Sequence, residues 1–153
     1  MNRRIFLAQA VLPVLLKAGP AADAWDVVAA MAAALAEDNA SGFLNRIDDK
    51  MPGFGELSRN VTGMLLQANV QSSISPLAND GNDTARQLQL DWELRMKPKA
   101  LTDPLGTDFN TQRGSEPLVE REEAVTVEFR RDGKKWKAIR LEPIAFFAPP
   151  NFK

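Results

Sequence analysis

The 153-residue chain contains no cysteine, no histidine and no tyrosine. Without cysteine there are no disulfides, no thiolate nucleophiles and no lipid anchor on a thiol. Without histidine as well, Cys/His zinc sites and imidazole bases are excluded; without tyrosine, so is a phenolic donor to an oxyanion. No sign of charge dominates. The 19 Lys and Arg nearly balance the 20 Asp and Glu, which argues against the electrostatic footprint of a nucleic-acid-binding protein. Long apolar runs are also missing. The longest, residues 5–16, is about a dozen residues where a membrane helix needs about 20. What is present, 44% hydrophobic and 25% charged residues, is the composition of one ordinary globular domain.

The first 24 residues read as an address. Arg3 and Arg4 precede the apolar run, and a small-residue stretch ends in Ala22-Asp23-Ala24, a small-x-small cleavage pattern. The order Arg3-Arg4-Ile5-Phe6-Leu7 resembles the twin-arginine export signal, with Lys17 after the apolar run and Ala8 where a lysine is common. The expectation is a signal peptide over 1–24, a single domain over 25–153 and a periplasmic or secreted location.

Within that domain helical periodicity comes first and alternation afterwards. Trp25, Val28, Met31 and Leu35 mark one face of a helix over 25–38. Phe43, Leu44 and Ile47 fit a short second helix. Pro52-Gly53 breaks the chain before a third helix over 54–68, striped by Leu57, Val61, Met64, Leu65 and Ala68. Residues 70–74 form a short β-type run. From 86 to 97 the pattern alternates: Leu88, Leu90, Trp92, Leu94 and Met96 face one way, and Gln87, Gln89, Asp91, Glu93, Arg95 and Lys97 the other. The polar stretch 98–117, with Pro98, Pro104, Gly106, Gly114 and Pro117, reads as a flexible loop. Strands over 120–130 and 135–144 are joined by the hairpin signal Asp132-Gly133. That turn predicts Phe129 opposite Trp136 and Val127 opposite Ala138, with Ala124, Thr126, Ile139 and Leu141 on the second face. This second face is either a self-association surface or a seat for Phe146, Phe147 and Phe152.

Helices followed by antiparallel strands predict an α+β domain, with three N-terminal helices on a curved antiparallel sheet of about four strands. The alanine-rich helix ending Leu35-Ala36-Glu37-Asp38-Asn39, the helix after Pro52-Gly53 and the hairpin from Val127 through Asp132-Gly133 to Trp136 resemble the nuclear transport factor 2-like superfamily, across essentially 25–149. The resemblance implies a cone-shaped α+β barrel whose sheet wraps the helices and leaves a pocket at its open end. It does not imply one activity, because the superfamily holds isomerases, dehydratases, cyclases and non-catalytic binding domains. The catalytic tyrosines and histidines of those branches have no counterpart here.

Asp91, Glu93, Glu123, Glu128, Glu142, Asp48 and Asp49 remain as acid–base candidates, most of them read as a solvated sheet face. Asp48-Asp49 alone is a weak metal signal, and no phosphate loop occurs. The basic hairpin tip, Arg130, Arg131, Lys134, Lys135 and Lys137, is diluted by Glu128, Asp132 and Glu142. The expectation is therefore a non-catalytic exported binding domain for a small apolar ligand or a protein partner. It is expected to be a homodimer through the sheet, with no cofactor, no metal, no nucleic acid and no membrane span. Ligand-pocket candidates are Met64, Trp92, Leu94, Phe129 and Trp136. The alternatives are an isomerase- or hydrolase-type enzyme of the same superfamily using a lone buried Asp or Glu, and a structural or assembly protein.

Overall fold

A computed structural model describes residues 19–99 and 117–152. Three helices, α1 (Pro20–Ala36), α2 (Ala40–Leu44) and α3 (Phe54–Gln67), precede four strands. These are β1 (Ala68–Gly81), β2 (Ala85–Pro98), β3 (Val119–Asp132) and β4 (Lys135–Glu142), followed by one 3-10 turn, Ile144–Phe147. The strands form one antiparallel meander in the order β1-β2-β3-β4, curved around the helices as expected. The expected loop over 98–117 falls almost wholly outside the described residues, as do residues 1–18 of the expected leader.

Helix α1 begins at Pro20, five residues before the expected start. Proline at the first helical position loses nothing by lacking an N–H. The expected cleavage point after Ala24 thus lies within α1, and Ala24 itself is buried. The Asn79 side-chain amide of β1 also donates to the Ala21 carbonyl (3.0 Å), fixing this first turn to the sheet. Asp38, with φ of 61°, ends the helix in the left-handed region, and the Asn39 side chain caps α2 by accepting from the Gly42 amide.

Strand β1 is far longer than the expected 70–74. Its outer half, Ser75 to Gly81, shows no apolar alternation and buries no residue fully, Leu77 being exposed, and an irregularity between Pro76 and Ala78 absorbs the proline on this edge strand. Helix α1 lies over it. The hairpin register also differs from expectation. Phe129 pairs with Ala138 and Arg131 with Trp136, and a shift between Glu128 and Phe129 sets Ile139 in a bulge. Leu141 consequently faces the helices opposite Val127, and Ile139 is half-buried. The hairpin therefore has one apolar face. Chain leaving α2 adds a single parallel bridge to β4, where the Ala138 amide donates to the Arg46 carbonyl and the Asp48 amide to the Ala138 carbonyl.

One apolar core results, between the helices and one face of the sheet. Val28, Met31, Leu35, Leu57, Val61 and Met64 meet Leu88, Leu90, Trp92, Leu94, Met96, Val125, Val127 and Phe129. Among the described residues no polar or charged residue is buried.

Candidate ligand site inside the sheet

Alternation on β2 puts Trp92 and Leu94 on the interior face, and pairing with β3 puts Glu123 and Arg121 beside them. Before Thr126, β3 has no β4 partner, so this end of the sheet is open. Into the opening folds the segment after β4. Phe147 is fully buried, its ring 5.1 Å from Trp92 at 85° and 5.4 Å from Phe43. Phe146 stacks edge-on against Phe147 at 5.0 Å. Edge-to-face pairs of this kind add roughly 0.5–1.5 kcal/mol each beyond the area they bury. The indole N–H of Trp92 donates to the Ser72 hydroxyl of β1 at 2.9 Å, satisfying the one polar atom of the cluster.

The same segment is tied at its backbone. Arg121 donates to the carbonyls of Phe146 (2.7 Å), Ala148 (2.6 Å) and Pro149 (3.2 Å), so the guanidinium bonds carbonyls on both sides of Phe147. Burial pushes the Arg121 pKa down, and Glu123 works against that shift. On the far side the segment rests on glycines: Ile144 lies where a side chain on Gly53 would stand, and Pro149 Cγ lies 2.9 Å from the place of a Cβ on Gly63. Arg121, Glu123, Pro143, Ala145 and Phe146 line a cleft of about 330 Å³ at the free edge of β3.

Met64, Trp92 and Leu94 are fully buried, and Phe129 and Trp136 are almost so, at 1% and 6% exposure. All five belong to the one core. Trp92 and Leu94 lie at the open end. Phe129 and Trp136 lie toward the hairpin tip, where Trp136 lines a groove of about 760 Å³ with Arg46, Lys134 and Lys135. A second groove of about 680 Å³ shares Lys137 with it and mixes Asp48 and Asp49 with Arg130 and Arg131. Phe43, Phe147 and Arg121 were not among the expected pocket residues. Arg121 carries a readable signal, for it shares the parity of Val125, Val127 and Phe129 and so places a cation on the apolar side of β3.

Apart from Glu123 at the rim, the carboxylates of the sheet lie on its outer face. Asp91 and Glu93 lie on the outer face opposite Ala124 and Glu122. There Glu122 is held above the usual carboxylate range, first by its hydrogen bond to Asp91 and then by the charge of Asp91. Arg95 pairs with Glu120 at 2.9 Å, and Arg140 lies 3.8 Å from Glu128 and 3.9 Å from Glu142. Asp48 turns the chain after α2 by accepting from the Lys50 amide. Among the described residues no three ligating side chains gather for a metal ion, and no helix is long and apolar enough to cross a membrane.

No sequence-family profile and no curated protein matches the chain. Solved structures do. A protein from Streptomyces avermitilis, proposed as a dehydratase of the NTF2-like family, superposes with a TM-score of 0.60 at 12% identity over 80% of this chain and 93% of its own. A proposed aromatic ring hydroxylase from Novosphingobium aromaticivorans gives 0.56 at 13% identity over 86% and 89%. A hexachlorocyclohexane dehydrochlorinase, LinA type 2, gives 0.55 at 12% over 78% and 80%. At these identities the likeness concerns architecture, and with the helix order, the meander and the open sheet end it shows that this chain has the nuclear transport factor 2-like fold.

Proposed function

We propose that the chain is an exported binding domain whose sheet interior accepts a small apolar ligand without acid–base catalysis. One observation carries this reading. The interior around Trp92 is walled by Phe43 and Phe147, and none of the buried residues described carries a charge. A general base needs a carboxylate or imidazole within reach of the substrate, and the carboxylates here sit on the outer face or at the rim. The export half of the reading rests on the pattern of residues 1–24.

An enzymatic reading has its own support. The similar structures include proteins named for dehydratase, hydroxylase and dehydrochlorinase chemistry. In this chain that chemistry would fall to Glu123, which shares the interior face with Trp92 and lines the rim cleft with Arg121.

The two readings separate in one experiment. Purified protein is melted against a library of lipids, steroids and aromatic acids, and each stabilising compound is followed for chemical conversion. The binding reading expects a rise in Tm with hits and no turnover, because a ligand at 100 times its Kd stabilises by about 2.7 kcal/mol. Turnover abolished by Glu123→Gln would replace it with the enzymatic reading. An absence of any stabilising compound would remove the small-ligand function.

A further inference from the structure

Residues 143–149 have the geometry of a bound ligand. A benzyl group fills an aromatic slot between Phe43 and Trp92, and two carbonyl oxygens flanking it accept short hydrogen bonds from one guanidinium. We propose that this segment is a built-in competitor, and that the ligand which displaces it is an aryl or short-chain alkyl monocarboxylate whose carboxylate takes Arg121. The inference rests on the interior-site reading above and adds to it the head group and the means of regulation.

The chemistry favours an acid over a neutral apolar molecule. Arg121 carries a full charge, yet its hydrogen-bond acceptors are neutral carbonyls, with Glu123 acting on it through its charge. A guanidinium and a carboxylate match in shape and form two parallel charge-assisted bonds, each stronger than a bond to an amide oxygen. An incoming carboxylate thus recovers more than the departing segment gives up at that point. The ring slot offers the second half of the exchange. An apolar hollow of about 150 Å³ is enough to hold a benzene-sized group, and Phe147 leaving its place opens one lined by Phe43 and Trp92.

Charge at the rim narrows the class. Glu122 and Glu123 line the same cleft as Arg121, so a second negative charge on the ligand would meet carboxylates with no further arginine lining that cleft. A dicarboxylate is therefore disfavoured. The cleft of about 330 Å³ between the free edge of β3 and Pro143–Phe146 gives the head group a way in before the ring has to enter. No catalytic step is involved. Binding exchanges an intramolecular contact for an intermolecular one, and affinity is lowered by the fraction of molecules in which the segment is seated.

The test uses phenylbutanoate and its neutral isostere phenylbutanol, titrated calorimetrically into four proteins. These are the full chain, Phe147→Ala, the milder Phe147→Leu, and Phe147→Leu combined with Arg121→Gln. Removing the competing ring is expected to tighten phenylbutanoate by about tenfold or more. In the Phe147 variants the acid is expected to exceed the alcohol by about tenfold, and Arg121→Gln is expected to erase that preference. Phe147→Leu carries the comparison if Phe147→Ala does not fold. Equal binding of acid and alcohol, or a preference that survives Arg121→Gln, overturns the head-group assignment and leaves the interior site standing. Binding of neither compound to either Phe147 variant overturns both.

Discussion

Trp92→Ala is expected to lower stability by about 3–5 kcal/mol, the range for deleting a large aromatic from a packed core. Against a total of roughly 5–15 kcal/mol for a domain, that leaves a marginal fold. Trp92 joins three parts of the molecule. Its ring faces Phe43 and Phe147, and its N–H reaches β1 through Ser72. The alanine therefore empties the centre of the interior and loosens both the α2 segment and the chain end. Thermal unfolding should show a fall in Tm of roughly 10 °C or more. Ser72→Ala separates packing from polarity, since it keeps the indole and removes only its bond to the hydroxyl, at about 1 kcal/mol. A Trp92→Ala protein that melts within about 2 °C of the parent would mean that this cluster does not organise the core.

Arg121→Gln is the second large effect, and it is local. Three carbonyls lose a charged donor at once. Part of the guanidinium is open to water, so the expected cost is about 2 kcal/mol and not the sum of three buried charged bonds. The cost should fall on residues 143–152. Phe147 still prefers the interior, but the backbone that carries it is no longer held. Limited proteolysis is expected to cut the variant within this segment while helices and sheet stay intact, with little change in the main unfolding transition. Arg121→Lys tests the geometry, because one ammonium can replace the Nη1 bonds to the Phe146 and Ala148 carbonyls but lacks the second arm that reaches Pro149, and should restore only part of the resistance. Proteolysis identical to the parent would show that the aromatic contacts alone seat the segment.

How much of this was legible in the sequence depends on how local each signal is. Strand β2 could be read residue by residue because Leu88, Leu90, Trp92, Leu94 and Met96 are buried and their neighbours are not. Helix α3 showed its stripe equally well, and Asp132-Gly133 marked the hairpin, with Gly133 at φ of 66° as such a turn requires. The start of α1 was hidden because Pro20 to Ala24 also satisfies the small-residue pattern of a cleavage region. The length of β1 was hidden because an edge strand has only one neighbour and tolerates Ser73, Ser75 and Pro76. The hairpin register failed at a bulge, which inserts one residue without any mark in composition.

The site divides the same way. Trp92 and Leu94 were identified from alternation, and they lie where the sheet opens. Phe43 and Phe147 reach Trp92 from a short helix and the chain end, and Arg121, on a separate strand, holds the backbone on both sides of Phe147. No spacing rule connects positions 43, 92, 121 and 147. Alternation alone leaves the second face of the hairpin open to self-association or to Phe146, Phe147 and Phe152; the bulge turns Leu141 inward, and Phe147 packs on the interior side instead.

Amide hydrogen exchange of the full chain, with and without saturating phenylbutanoate, bears most directly on the idea that the chain end occupies a ligand site. With ligand bound, the amides of residues 144–148 should exchange faster as Phe147 leaves, while the β2 amides around Trp92 stay protected. A chain end that keeps or gains protection when the ligand is bound would contradict it.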